Sequence, residues 1–271
     1  MSGIGHRLDA GLAIIRRDLR RFILQRSRLV SALVRPLLWL MVFAAGFQNV
    51  FGVSIIPPYR TYVTYQVYVL PGLAAMVLLF NGMQSSLSLV YDREMGMMRL
   101  LLTAPLPRWW LLFAKLVAGV VLSLVQVYVF LGVAALLDVR LPWFGYLTVL
   151  PALILAALML GAVGLLLSAT IRQLENFAGA MNFVIFPMFF LSSALYPLWK
   201  IGEAAAAPVY YLCLVNPFTQ AVELIRFAAY GRVDSVALVV VAGTGLAAFL
   251  LASLAYDPQR GLLGRARPAA A

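Results

Sequence analysis

Glu223 and Arg226 stand three residues apart, just after a charge-free stretch that runs from 204 to 222. On a helix this spacing puts carboxylate and guanidinium on one face, the chemistry of an ion pair that stabilises its own segment. A second group, Asn81, Gln84, Ser85, Ser86 and Ser88, makes half of an apolar run polar. Amides and hydroxyls in such a place either bond between helices or contact a passing solute. The third group lies in 92–115, which reads DREMGMMRLLLTAPLPRWWLLFAK. A helix over 93–103 collects Met97, Met98, Leu101 and Leu102 on one apolar flank and leaves Arg93, Glu94 and Arg99 elsewhere on its surface. A short amphipathic helix of this kind, ending at Pro105, suits a groove on a partner protein.

Other chemistries lack their residues. The ten acids are spread over the chain, and none sits centrally in a firm apolar run, so no catalytic cluster of acids, bases or metal ligands forms. His6 is the one histidine and cannot build a His-based metal site, and the single Cys213 excludes an intrachain disulfide. Ionisable residues within the membrane mark ion-coupled carriers, and their near absence argues against a proton- or sodium-driven mechanism. No G-x-x-x-x-G-K-[ST] sequence occurs, and neither Lys115 nor Lys200 follows a glycine-rich loop. Any ATP that drives this protein is bound, with its Mg, by another chain, and no cofactor is expected in this one. No internal repeat of the kind found in secondary carriers is visible.

The elements that position these residues follow from composition. Of 271 residues, 63% are hydrophobic and 11% charged, far from the balance of soluble domains. Charge-free runs cover 36–59, 61–91, 116–137, 141–171, 176–199, 204–222 and 235–256. Each reaches or approaches the ~20 residues needed to cross ~30 Å of hydrocarbon. The sixth run carries Pro208 and the Asn216-Pro217 pair, which interrupt a helix. It reads as a broken, re-entrant segment over 204–230, packed on the bundle rather than on lipid. The fold class is therefore all-α membrane protein, with six transmembrane helices at about 33–53, 70–91, 109–137, 146–170, 177–197 and 235–256. Gly161 and Gly164 allow close helix packing, and Pro187 marks a kink.

Charge placement supports an even number of crossings with both termini cytoplasmic. Six crossings place fifteen Lys and Arg inside against five outside, namely Arg60, Arg140, Lys200, Arg226 and Arg232, with Arg35 at the boundary. Seven would export the basic tail at 257–271. The net charge of +11 thus reflects topology and attraction to anionic membrane lipid, not nucleic-acid binding. In the arm at 1–32, Leu8, Leu12, Ile15, Leu19, Phe22 and Ile23 recur at helical spacing, with Arg16, Arg17, Arg20 and Arg21 largely off that stripe. That pattern predicts an amphipathic helix at the membrane surface. The long polar arm before the first apolar run is a poor fit to a secretory signal peptide.

Between the second and third crossings the sequence resembles the permease subunits of ABC-2 type exporters, which serve drugs, nodulation oligosaccharides and cell-surface polysaccharides. Arg93, Glu94, Gly96, Leu101, Leu102 and Pro105 fall in step with that family's R-E-x-G-T-x-E-x-L-L-x-x-P pattern. Met97 and Arg99 stand where the pattern has Thr and Glu, which alters the polar half of any docking contact. Leu70-Pro71-Gly72, Glu175-Asn176-Phe177, Tyr196-Pro197 and Asn216-Pro217-Phe218-Thr219 followed by Glu223 and Arg226 are similar to the family too. The resemblance implies a bacterial cytoplasmic (inner) membrane protein, two permease subunits paired as a homodimer, and two ABC ATPase subunits beneath them. It implies that the helix at 92–105 is the coupling helix, that Asn81, Gln84 and Ser85 face a pathway, and that Tyr196 and the 216–226 stretch form an outer gate. The cargo expected is a lipid, a lipid-linked glycan or an amphipathic small molecule. A carrier or channel without an ATPase is the alternative, and a membrane-embedded transferase a more distant one.

Overall fold

The structure, a computed structural model, describes residues 11–13, 15–17, 20, 34–42, 57–59, 63–94, 107–171, 173–203 and 207–256. Among them the protein is helical, without strands. After a helical segment at 34–42 come α1 (Tyr65–Glu94), α2 (Arg108–Leu136), the single turn α3 (Gly145–Thr148), α4 (Leu150–Thr170) and α5 (Leu174–Phe190). Three short helices follow, α6 (Leu198–Glu203), α7 (Ala207–Val215) and α8 (Pro217–Ala229), and then α9 (Ser235–Ala255).

Among the described residues, four stretches are long and apolar enough to cross a bilayer: Tyr65–Asp92, Trp109–Leu136, Gly145–Thr170 and Ser235–Ala255. Helix α5, with 17 residues, reaches about 26 Å and falls short of ~30 Å of hydrocarbon. The chain is a multi-pass membrane protein. Helix α1 is the most enclosed and packs on α2, α4, α5 and α8, whereas α9 leans on α4 and α8 and leaves most of its surface outward.

Small residues set the crossing of α1 and α4. A Cβ on Gly82 of α1 would stand 3.0 Å from the backbone nitrogen of Gly161, and one on Gly164 would stand 2.9 Å from the Gly82 carbonyl oxygen. The glycines of α4 thus serve packing, as small residues do where apolar burial cannot distinguish a neighbouring helix from lipid.

Two boundaries differ from those expected. The expected second crossing opens at Leu70-Pro71-Gly72, yet α1 starts at Tyr65 and carries Pro71 inside its second turn. Pro71 removes one backbone donor, but the first turn is held otherwise. Thr64 O accepts from Val67 N and Tyr68 N, and the Tyr65 and Tyr68 hydroxyls donate to carbonyls across the bundle. Helix α5, where a fifth crossing reaching 197 was expected, ends at Phe190 and gives way to an irregular bend through 191–196. Pro187 does not break α5; its carbonyl accepts the Leu191 N–H that closes the helix.

The stretch expected to be re-entrant contains α7 and α8, of 9 and 13 residues, separated at Asn216. Neither is long enough to span. Pro217 occupies the first helical position of α8, where its missing N–H costs nothing.

Candidate pathway and coupling site

At one end of the bundle, Arg226 organises a polar hub. It lies on α8 and is 2% exposed. The reason is tertiary: α8 folds back onto α1 and α4, so a residue beyond an apolar run becomes interior. Its Nη1 donates to Glu223 Oε1 within α8, the ion pair that the i, i+3 spacing allows. Its Nη2 donates to the Ser193 carbonyl oxygen at 2.9 Å, and its guanidinium carbon lies 4.1 Å from the centre of the Tyr68 ring. The Tyr68 hydroxyl donates to that same Ser193 carbonyl at 3.1 Å.

The 191–196 bend can reach this arginine because of Gly72. A Cβ there would stand 2.5 Å from the Ala194 carbonyl oxygen, so only glycine lets the bend lie against α1. Tyr65 fixes the far end of the bend by donating to the Leu195 carbonyl oxygen at 2.7 Å. Asn216 fastens the near end. Its Oδ1 caps α8 by accepting from Phe218 N, while its Nδ2 donates to the carbonyl oxygens of Met188 (2.8 Å) and Leu191 (2.6 Å) at the end of α5. Phe218 is buried with its ring 6.2 Å from that of Phe189. Tyr196, by contrast, is exposed.

Tyr59 completes the hub from the loop before α1. Its ring is 5.0 Å from Tyr230 and 6.3 Å from Tyr68. Burial pushes its phenol well above the ordinary tyrosine range, with Arg226 opposing, so the hydroxyl stays protonated. The Tyr59 hydroxyl and Arg226 Nε have no hydrogen-bond partner among the described residues, so the hub keeps two buried donors beyond those it uses.

Halfway along α1, Asn81 is buried and its Nδ2 donates to Gln126 Oε1 on α2. This amide pair is an interhelix bond. Gln84 and Ser85 are half-buried; a Cβ on Gly119 of α2 would stand 2.8 Å from Ser85 Oγ, so Ser85 faces α2. Ser86 and Ser88 donate back to carbonyls of their own helix, those of Gly82 and Ser85.

At the other end, Lys115 of α2 donates to Asp92 Oδ2 of α1 at 2.6 Å, both side chains being 4% exposed. Arg17, half-buried, approaches the same oxygen at 3.9 Å. A Cβ on Gly11 would stand 3.3 Å from Trp110 Nε1, so the helical N-terminal residues rest on the start of α2. Arg16 and Arg20 are exposed. Glu94 is the last residue of α1 and exposed, and Arg93 precedes it in the helix backbone. Gly96, Met97, Met98, Arg99, Leu101, Leu102 and Pro105, together with Arg21, lie outside the described residues.

The Asp92–Lys115 pair escaped sequence reasoning, as did Tyr68, Ser193 and Gln126. One signal was available: opposite charges stand at the two mouths of the 93–114 stretch, each at the edge of an apolar run. A carbonyl such as that of Ser193 carries no sequence signal at all.

The profile of the ABC-2 type transporter family matches residues 10–230, a span that includes both the Asp92–Lys115 clamp and the Arg226 hub. A Cyanophora paradoxa protein named as the transport permease ycf38 is 31% identical over 216 residues, covering 77% of this chain and 71% of the relative. Its namesakes in Porphyra purpurea and Pyropia yezoensis are each 28% identical, over 77% and 76% of this chain and 69% and 70% of their own lengths. The chain belongs to the ABC-2 type transporter family of membrane permeases.

Proposed function

We propose that this chain is the permease subunit of an ATP-driven exporter. It crosses the membrane six times, with the 34–42 helix part of the first crossing and α5 with its bend making the fifth. Both termini face the cytoplasm, in a bacterial cytoplasmic membrane. A second copy completes the pathway, and two ABC ATPase subunits, which bind ATP and Mg, dock on the 92–105 helices. The cargo is a lipid, a lipid-linked glycan or an amphipathic small molecule.

The observation that carries this reading is the buried Asp92–Lys115 contact. It ties the end of α1 to the start of α2, the two helices that bracket the docking segment. A push on that segment then moves two packed helices as one lever, and rigid bodies that switch between packings are how ATP binding in a partner favours one permease state. Along the lever, the Asn81–Gln126 bond keeps α1 and α2 together. At its far end, Tyr65 and Tyr68 hold the 191–196 bend beside Arg226, in the place of an outer gate.

Reconstitution tests the reading. Proteoliposomes containing the permease and its ATPase are expected to move a fluorescent lipid analogue only with hydrolysable ATP. Movement of equal rate by the permease alone would replace this reading with a carrier or channel.

A further inference from the structure

Arg35 is used neither by the hub nor by the clamp. It is exposed on the 34–42 helix, and its guanidinium carbon lies 4.0 Å from the centre of the Phe80 ring. Phe80 stands twelve residues from Asp92 and fifteen from Tyr65 on α1, about 18 Å and about 22 Å at 1.5 Å per residue. The cation therefore sits between the two ends of the span, where an arginine is expensive and marks a function. Among the described residues no carboxylate pairs with it, and the Phe80 ring lies against its guanidinium.

Beside it opens a cavity of about 80 Å³ lined by Arg35, Met76, Val77, Phe80, Asn81 and Gln84. One guanidinium, two amide side chains and an aromatic face surround space for a small anionic group, roughly the room of two or three waters. Larger parts of a ligand must leave through the opening. One and two turns further along the 34–42 helix, Leu38, Met41 and Val42 are exposed and apolar. At helical spacing Leu38 and Val42 continue the face of Arg35, so a cation is followed by an apolar stripe.

We propose that the Arg35 cavity binds the anionic headgroup, a phosphate or carboxylate, of an amphiphile whose apolar chain lies along Leu38 and Val42. The proposal rests on the exporter reading for its consequence, that this amphiphile is the cargo class. A resident bilayer lipid keeps its headgroup at the interface, so an anion held between the ends of the span belongs to a molecule in passage.

Binding is measured first on the intact permease alone in neutral detergent, by native mass spectrometry, with phosphatidylglycerol, diacylglycerol of the same chains, and inorganic phosphate. Phosphatidylglycerol is expected to bind at least tenfold more tightly than diacylglycerol or phosphate. Arg35→Gln should remove that preference, Arg35→Lys keep part of it, and Gln84→Leu weaken it several-fold with the charge intact. An unchanged preference in both Arg35→Gln and Gln84→Leu, or none in the unaltered protein, overturns the site, and tight phosphate binding overturns the amphiphile. Flux of labelled phosphatidylglycerol by the permease–ATPase complex then separates the sources: ATP-driven movement lost in Arg35→Gln supports cargo. Arg35-dependent binding without any movement overturns the cargo assignment. Failure of the exporter reading shows instead as loss of all ATP dependence while Arg35-dependent binding persists.

Discussion

Lys115 Nζ lies 2.6 Å from Asp92 Oδ2 in a contact that is almost wholly buried, and it joins the two helices on either side of the 95–106 stretch. Asp92→Asn leaves Lys115 as an uncompensated buried charge, a loss of about 3–5 kcal/mol, and Lys115→Met leaves Asp92 with the more distant Arg17, 3.9 Å away. Asp92→Asn and Lys115→Met should therefore each lower the thermal midpoint of the detergent-solubilised protein markedly. The swapped pair Asp92→Lys with Lys115→Asp should recover part of the loss. A thermal-shift series checks this, and single variants as stable as the parent would contradict a buried pair.

Arg226 should be harder to replace than its sequence context implies. Arg226→Met leaves Glu223 without its cation and the Ser193 carbonyl without its charged donor, which again costs about 3–5 kcal/mol. Arg226→Lys keeps the charge but cannot serve Glu223 and Ser193 with a planar fork, so it recovers only part. Unfolding midpoints for the two variants and for Glu223→Gln order the three effects.

Tyr68 makes two separable contacts with the hub. Tyr68→Phe loses the hydroxyl bond to Ser193, about 1 kcal/mol, and keeps the ring over Arg226. Tyr68→Leu loses both, and the cation–π contact adds about 0.5–2 kcal/mol. Equal stability of the two variants would remove the ring from the account.

Two glycines should respond with opposite signs. Gly82→Ala forces a Cβ to within 3.0 Å of the Gly161 backbone and should cost about 1–3 kcal/mol by overpacking. Gly132 in α2 has open space around its Cβ direction, so Gly132→Ala should gain up to about 1 kcal/mol of helix propensity. Paired stability measurements on the two variants check the α1–α4 crossing directly.

The long helices were legible because apolar run length and charge placement are one-dimensional signals. The edges of α1 and α5 were less so. Pro71 reads as a helix start, and the Tyr65 and Tyr68 hydroxyl bonds, made to residues 130 and 125 positions away, help hold a helix that begins before it. Asn216-Pro217 announced a break and a cap, and the pair Glu223 and Arg226 announced an ion pair. Burial of Arg226 was hidden because it depends on α8 folding back onto α1 and α4, a contact between distant parts of the chain. Asp92 and Lys115 were hidden for the same reason, since their meeting requires α1 and α2 to pack along their length.

The proposed exporter depends on an ATPase docking on the segment between α1 and α2. The direct measurement is co-purification of tagged permease from its native membrane, with ATPase activity assayed before and after the double substitution Leu101→Asp and Leu102→Asp. A stoichiometric ATPase partner is expected with the unaltered protein, lost in the double variant while membrane insertion is unchanged. A permease that purifies without any nucleotide-hydrolysing companion, or a double variant that retains it fully, would contradict the account.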